Sequence, residues 1–98
     1  MTIEKQAEGQ SLTLKLAGRL DTMTAPELED ALRNSLEGVQ SLTLDFSGLE
    51  YLSSAGLRVL LAAQKRMNQQ GAMVVKNVCA DIQEIFEMTG FSDILTVE

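Results

Sequence analysis

The chain has 98 residues, 45% of them apolar and 22% charged, with a formal net charge of −6. That length suits one domain, residues 1–98, able to bury roughly two thirds of its unfolded surface, and the charged share is too small for a disordered chain. No run of Lys or Arg offers a grip on nucleic-acid phosphates, one Cys excludes an internal disulfide, and no apolar stretch approaches the ~20 residues that cross a bilayer.

The start, Met1-Thr2-Ile3-Glu4-Lys5, lacks a signal-peptide pattern, so a cytoplasmic location is expected. Ile3–Ala7 reads as a short strand, and Glu8-Gly9-Gln10 as a turn into a clearer one. There Leu12, Leu14 and Leu16 alternate with Thr13 and Lys15, which predicts one apolar face and an antiparallel hairpin ended by Gly18. Arg19–Met23 is expected as a loop before a helix. Thr24-Ala25-Pro26-Glu27 has capping-box spacing, with Pro26 in the first turn, where its missing N–H is harmless. Ala25, Leu28, Leu32 and Leu36 form an apolar stripe opposite Glu29, Asp30, Arg33 and Glu37, and Gly38 supplies the stop.

Leu42–Phe46 alternates apolar residues with Thr43 and Asp45, as a buried strand does, and Ser47-Gly48 is expected to break it. A second helix starts at Ser53 or Ser54 and runs to Gln70, with Gly56, Leu60, Ala63 and Met67 as its core line and Ser54, Arg58, Leu61 and Lys65 opposite. Leu57 and Leu61 should then leave apolar surface beside the serines, unless a loop or helix covers them. Met73-Val74-Val75 is a buried parallel-type strand. Asp81 is placed as N-cap of a third helix, Ile82–Met88, with Ile85, Phe86 and Thr89 on the face of Ile82, and Ile94–Val97 as a last strand. Cys79 is expected to be reduced and partly buried. The order β-β-α-β-α-β-α-β predicts an α/β domain, a mostly parallel mixed sheet covered by helices.

Two hydroxyls, Ser53 and Ser54, therefore stand where a strand and its loop turn into a helix, beside unpaired N–H groups and the positive end of the dipole. Such a point suits a cap, an anion or a covalently attached phosphate. A serine nucleophile finds no support there: the chain has no His, and Ser53-Ser54-Ala55-Gly56 lacks the first glycine of a nucleophile elbow. No metal-ligand cluster and no phosphate-binding glycine loop is present, so no metal, cofactor or enzymatic activity is expected.

The segment Asp45-Phe46-Ser47-Gly48-Leu49-Glu50-Tyr51-Leu52-Ser53-Ser54-Ala55-Gly56-Leu57 resembles the signature of the STAS domain, shared by anti-sigma factor antagonists and the cytoplasmic ends of anion transporters. Gly18-Arg19-Leu20-Asp21, Gly71–Val75 and Ile85–Phe91 are similar to the family's other landmarks. The resemblance implies a STAS fold and a switch rather than an enzyme. In it, the unphosphorylated protein binds an anti-sigma factor that is also a serine kinase, phosphorylation ends the binding, and a serine phosphatase resets it. Ser54 aligns with the phosphate acceptor. Family antagonists usually carry Asp where Ser53 stands, and Ser or Thr where Ala55 stands, which makes Ser53 a second candidate acceptor. The partner surface expected around it comprises Leu20, Asp21, Thr22, Met23, Ser53, Ser54, Ala55, Leu57, Arg58 and Leu61, on a monomer that neither binds nucleic acid nor inserts in a membrane. The alternative implied by the family is an adaptor subunit of a transporter or signalling complex, in which Ser54 is only a cap. A nucleotide-binding protein or hydrolase is the weakest reading, since neither a phosphate loop nor His is present.

Overall fold

Leucines at every second position fix the sheet. In the computed structural model, which describes residues 1–98, β1 (Thr2–Glu8) and β2 (Ser11–Leu20) form an antiparallel hairpin. They are followed by α1 (Ala25–Ser35), β3 (Ser41–Leu52), α2 (Ser54–Met67), β4 (Ala72–Lys76) and α3 (Ala80–Thr89), with a short 3₁₀ turn at Phe91–Asp93. The strands lie in the order β1-β2-β3-β4, with β2, β3 and β4 parallel. Leu12, Leu42 and Met73 share one register row, and Leu14, Leu44 and Val75 the next. All six are buried, and Leu28 and Leu32 of α1, Leu60, Ala63 and Met67 of α2, and Ile82 and Phe86 of α3 join them in a single core cluster. Each fully buried Leu or Phe contributes about 1.5–3 kcal/mol.

All three helices thus cover one face of the sheet. The other face, which carries Thr13, Lys15, Thr43, Asp45 and Val74, has no buried residue, so the covering expected from the sequence is one-sided. Parallel sheets are more often covered on both faces; here the alternation of apolar with small or charged residues permits an open one.

Both central strands outrun the sequence reading. Neither Gly18 nor Ser47-Gly48 ends a strand: β2 continues to Leu20, β3 to Leu52, and the two stay paired to their ends. Two register shifts, between Lys15 and Ala17 and between Gly18 and Arg19, each place an extra residue in β3. At the first, the Ser47 N–H leaves the ladder and donates to Asp45 Oδ1 at 2.9 Å. The close approach needs Gly48, since a Cβ there would lie 2.7 Å from the Cβ of Ala17. A bulge uses up the turn-forming residues without breaking the strand.

Other boundaries also move. Helix α2 ends at Met67 rather than Gln70; the Gln70 side chain instead donates to the carbonyls of Leu36 and Val39 at 2.6 and 2.7 Å, satisfying the end of α1. Helix α3 starts at Ala80 with Cys79 at the N-cap position, so Asp81 lies in the first turn, and Cys79 is exposed rather than partly buried. Thr89 is exposed too, its hydroxyl bonded back to the Ile85 carbonyl at 2.7 Å. The last strand shrinks to one parallel bridge between Val75 and Val97, because the 3₁₀ turn and the helical backbone of Ile94 consume the residues before it.

Gly56, in the first turn of α2, occupies a tight seat against the ends of β2 and β3. A Cβ there would meet Leu52 Cδ1 at 2.6 Å and Leu20 Cγ at 2.7 Å. Gly56→Val should therefore lift α2 from the ends of β2 and β3, with a loss of about 1–3 kcal/mol typical of overpacking. Thermal unfolding followed by circular dichroism should show a lower Tm, and an unchanged Tm would refute this seating.

Candidate functional site

The carboxyl ends of β2 and β3 place the residues singled out in the sequence. The Ser53 N–H donates to the Leu20 carbonyl at 2.9 Å, and the Leu57 N–H to the Ser53 carbonyl at 3.0 Å. The first bond sets the loop Asp21-Thr22-Met23 beside the head of α2, and the second begins the helix. Ser53 is the N-cap residue with extended backbone, φ −101° and ψ 175°, and no side chain caps the first turn. Its N–H groups lack intrahelical acceptors and carry the positive end of the dipole. Ser54, the first helical residue, is exposed there.

The loop is held by Asp21. Its Oδ1 accepts the N–H groups of Met23 and Thr24 at 3.0 and 3.1 Å, and its carbonyl accepts the Ala25 N–H at 2.8 Å. The Thr24 hydroxyl accepts the Asp21 N–H at 2.9 Å and lies 2.7 Å from the Arg19 carbonyl and 3.2 Å from Asp21 Oδ1. The capping box expected at Thr24–Glu27 is therefore absent: Thr24 makes no cap bond to α1, because its hydroxyl closes the preceding turn instead. Partial desolvation is the largest single influence on the Asp21 carboxyl and acts to raise its pKa. The hydrogen bonds from Thr24 and Met23, with the Arg19 guanidinium, outweigh it and hold the pKa below the usual carboxylate value. Arg19 Nε stands 3.7 Å from Asp21 Oδ2, and its guanidinium carbon lies 4.1 Å from the centroid of the Tyr51 ring, a cation–π distance.

Of the ten residues expected on the partner surface, the structure exposes Thr22, Met23, Ser54 and Arg58. Met23 is 84% exposed, the largest such value among the bulky apolar residues. Asp21, Ala55 and Leu61 are half-buried. Three expectations are corrected. Leu20 is fully buried and Leu57 only 8% exposed, because both pack in the core under the head of α2, out of reach of a partner. The Ser53 hydroxyl is enclosed without a hydrogen-bond partner, so the second acceptor considered in the sequence points inward. Arg19 and Tyr51, outside the expected surface, border the same loop. They face each other only because the second bulge sets Arg19 opposite Tyr51, a pairing that no local pattern announces.

No three His, Cys, Asp or Glu residues cluster as metal ligands, and no helix is long and apolar enough to cross a membrane. The head of α2 offers one accessible hydroxyl, free N–H groups and a ring of apolar and charged contacts, a combination suited to binding and to carrying an anion.

Because the Asp21 pKa is lowered in the folded chain, its contribution to stability is complete above the unfolded value of 3.8 and is lost as pH falls through the lower folded value. Asp21→Asn should therefore lower Tm at pH 7 and converge on the parent as pH falls through the lowered folded value. A pH series of melting curves with a constant gap would contradict this.

Comparison with known proteins agrees with this architecture. The family described as "Mlab, STAS domain" matches residues 3–96. BtrV of Bordetella bronchiseptica, assigned as an anti-sigma factor antagonist, is 37% identical over 84 residues, covering 84% of this chain and 72% of its own. The anti-sigma-B factor antagonist of Staphylococcus aureus is 28% identical over 99 residues, covering 99% and 92%. The Bacillus cell fate determinant SpoIIAA, solved in its phosphorylated form, superimposes with a TM-score of 0.77 at 14% identity, over 99% of this chain and 91% of its own. With its signature segment spanning the end of β3 and the head of α2, this chain belongs to the STAS domain family.

Proposed function

We propose that the chain is a cytoplasmic anti-sigma factor antagonist. Its unphosphorylated α2 head binds an anti-sigma factor with serine kinase activity, and phosphorylation of Ser54 switches that binding off. A serine phosphatase would reset it. The single observation that carries this reading is the position of Ser54, exposed on the first residue of a 14-residue helix whose first turn has no side-chain cap. The names of the relatives favour the antagonist role.

A phosphate on Ser54 adds about −1.5 to −2 charges. The fold should tolerate it, because it faces solvent and the dipole and free N–H groups favour an anion. A partner seated on Met23, Ala55 and Leu61 would have to desolvate it. It would also exclude water between the phosphate and Asp21, which raises their repulsion. A differential of ~3 kcal/mol weakens binding about a hundredfold, with no change of conformation.

Incubation with an anti-sigma factor kinase and ATP should add one phosphate to the parent protein and none to Ser54→Ala, read by intact mass. Equal labelling of both would remove Ser54 from this role. Ser54→Asp should keep its Tm and lose affinity for the kinase by calorimetric titration. If its affinity is unchanged, a permanent adaptor with Ser54 as a plain helix start becomes the better reading.

A further inference from the structure

Helices α1 and α2 leave between them an open groove of about 560 Å³ that begins at Thr22 and Ala55 and runs to Leu36 and Arg66. Its floor is apolar, built by Ala25, Leu32, Leu36, Val59 and Ala63. Along the α2 wall stand Arg58 and Arg66, eight residues or about 12 Å apart on the helix axis. Neither belongs to any of the chain's four ion pairs, although acidic side chains outnumber basic ones by fourteen to eight. On the α1 wall Glu29 is already held by Arg33 at 2.6 Å, as is the neighbouring Asp30 at 3.1 Å. The unanswered charge of the groove is therefore positive. Two guanidiniums that far apart do not converge on one phosphate or carboxylate; they match an elongated occupant with two or more negative groups and an apolar side.

The same chain carries such a surface on α3. Asp81, Glu84 and Glu87 are exposed, and none is ion-paired. Asp81 and Glu84, three residues apart, share one face of α3, within reach of the long arginine side chains. Met88, 77% exposed, lies seven residues after Asp81 on the same helical stripe. An acidic row with one apolar knob thus faces solvent on α3, while a basic row over an apolar floor faces solvent between α1 and α2. We infer that the groove receives α3 of a second copy of this chain, Asp81 and Glu84 pairing with Arg58 and Arg66 while Met88 enters the floor. Exposed ion pairs are individually weak and salt-sensitive, so the monomer is the dilute state and association belongs to high concentration or to a scaffold that gathers copies.

Sedimentation equilibrium from about 10 μM to 1 mM at low salt tests this with the intact chain. The mass should rise above 10.7 kDa with concentration. Arg58→Glu with Arg66→Glu should abolish the rise, and so should Asp81→Lys with Glu84→Lys. The second result is diagnostic, because that variant carries less net charge than the parent and would self-associate more if general repulsion governed. Mixing the two reversed variants should restore a pair, since each supplies the surface that complements the other. Circular dichroism checks that both are folded, and Met88→Gln, a mild surface change, should also weaken association. A parent that stays at monomer mass at 1 mM overturns the proposal. So does association that survives either reversal, or a mixture that fails to pair. A monomeric parent that binds an acidic amphipathic peptide in the groove would overturn it in favour of a different protein as occupant.

Discussion

One junction governs this molecule: the head of α2 seated on the ends of β2 and β3. The Ser53 N–H reaches the Leu20 carbonyl, and Gly56 lies flat against Leu20 and Leu52, where no Cβ would fit. These contacts set the rotation of the helix about its axis. Given that rotation, Leu57 and Leu60 go inward, Ser54 and Arg58 go outward, and the Ser53 hydroxyl is enclosed. The adjacent serines are chemically alike, and the packing of one glycine makes them unlike.

The loop beside the junction is ordered by its own chemistry rather than by the core. Asp21 gathers two backbone N–H groups and an arginine while remaining partly exposed, so a short polar turn holds its shape at the rim. It presents Met23 to solvent on a rigid base. Loops that hold binding residues on a firm scaffold lose little entropy on association. The head of α2 adds free N–H groups and a positive dipole end, so the surface combines an apolar contact with a place where one added phosphate changes the local field sharply.

The two layers divide the labour. The sheet's open face carries mostly small and charged side chains, and the exposed Met23 and Ser54 and the α1–α2 groove belong to the side of the helix layer. Within that layer charge is sorted: the arginines of α2 border the α1–α2 groove, and the carboxylates of α3 stand apart from it. Arg58 follows Ser54 by one turn and also lines the groove, so one guanidinium borders both surfaces.

Periodicity alone established the α/β class, the hairpin, the three helices and the apolar stripes of α1 and α2, while on α3 it placed Ile82 and Phe86 but not Thr89. Leu12, Leu14, Leu16, Leu42, Leu44, Leu28, Leu32, Leu60 and Met67 all occupy the core positions their spacing implies, because the periods of strand and helix are local properties of the backbone. The signature from Asp45 to Leu57 likewise located Ser54 at the helix start, since a cap-forming residue before a helical pattern is read within a few positions. Tertiary structure decided what depends on residues far apart in the chain. The bulges that carry β3 past Gly48 follow from pairing with β2, the Arg19–Tyr51 contact from their register, and the burial of Leu20, Leu57 and the Ser53 hydroxyl from how α2 is seated. None of these could be assigned from local pattern, because each is fixed by the close approach of two backbones, and sequence spacing does not encode the distance between strands or the rotation of a helix upon them.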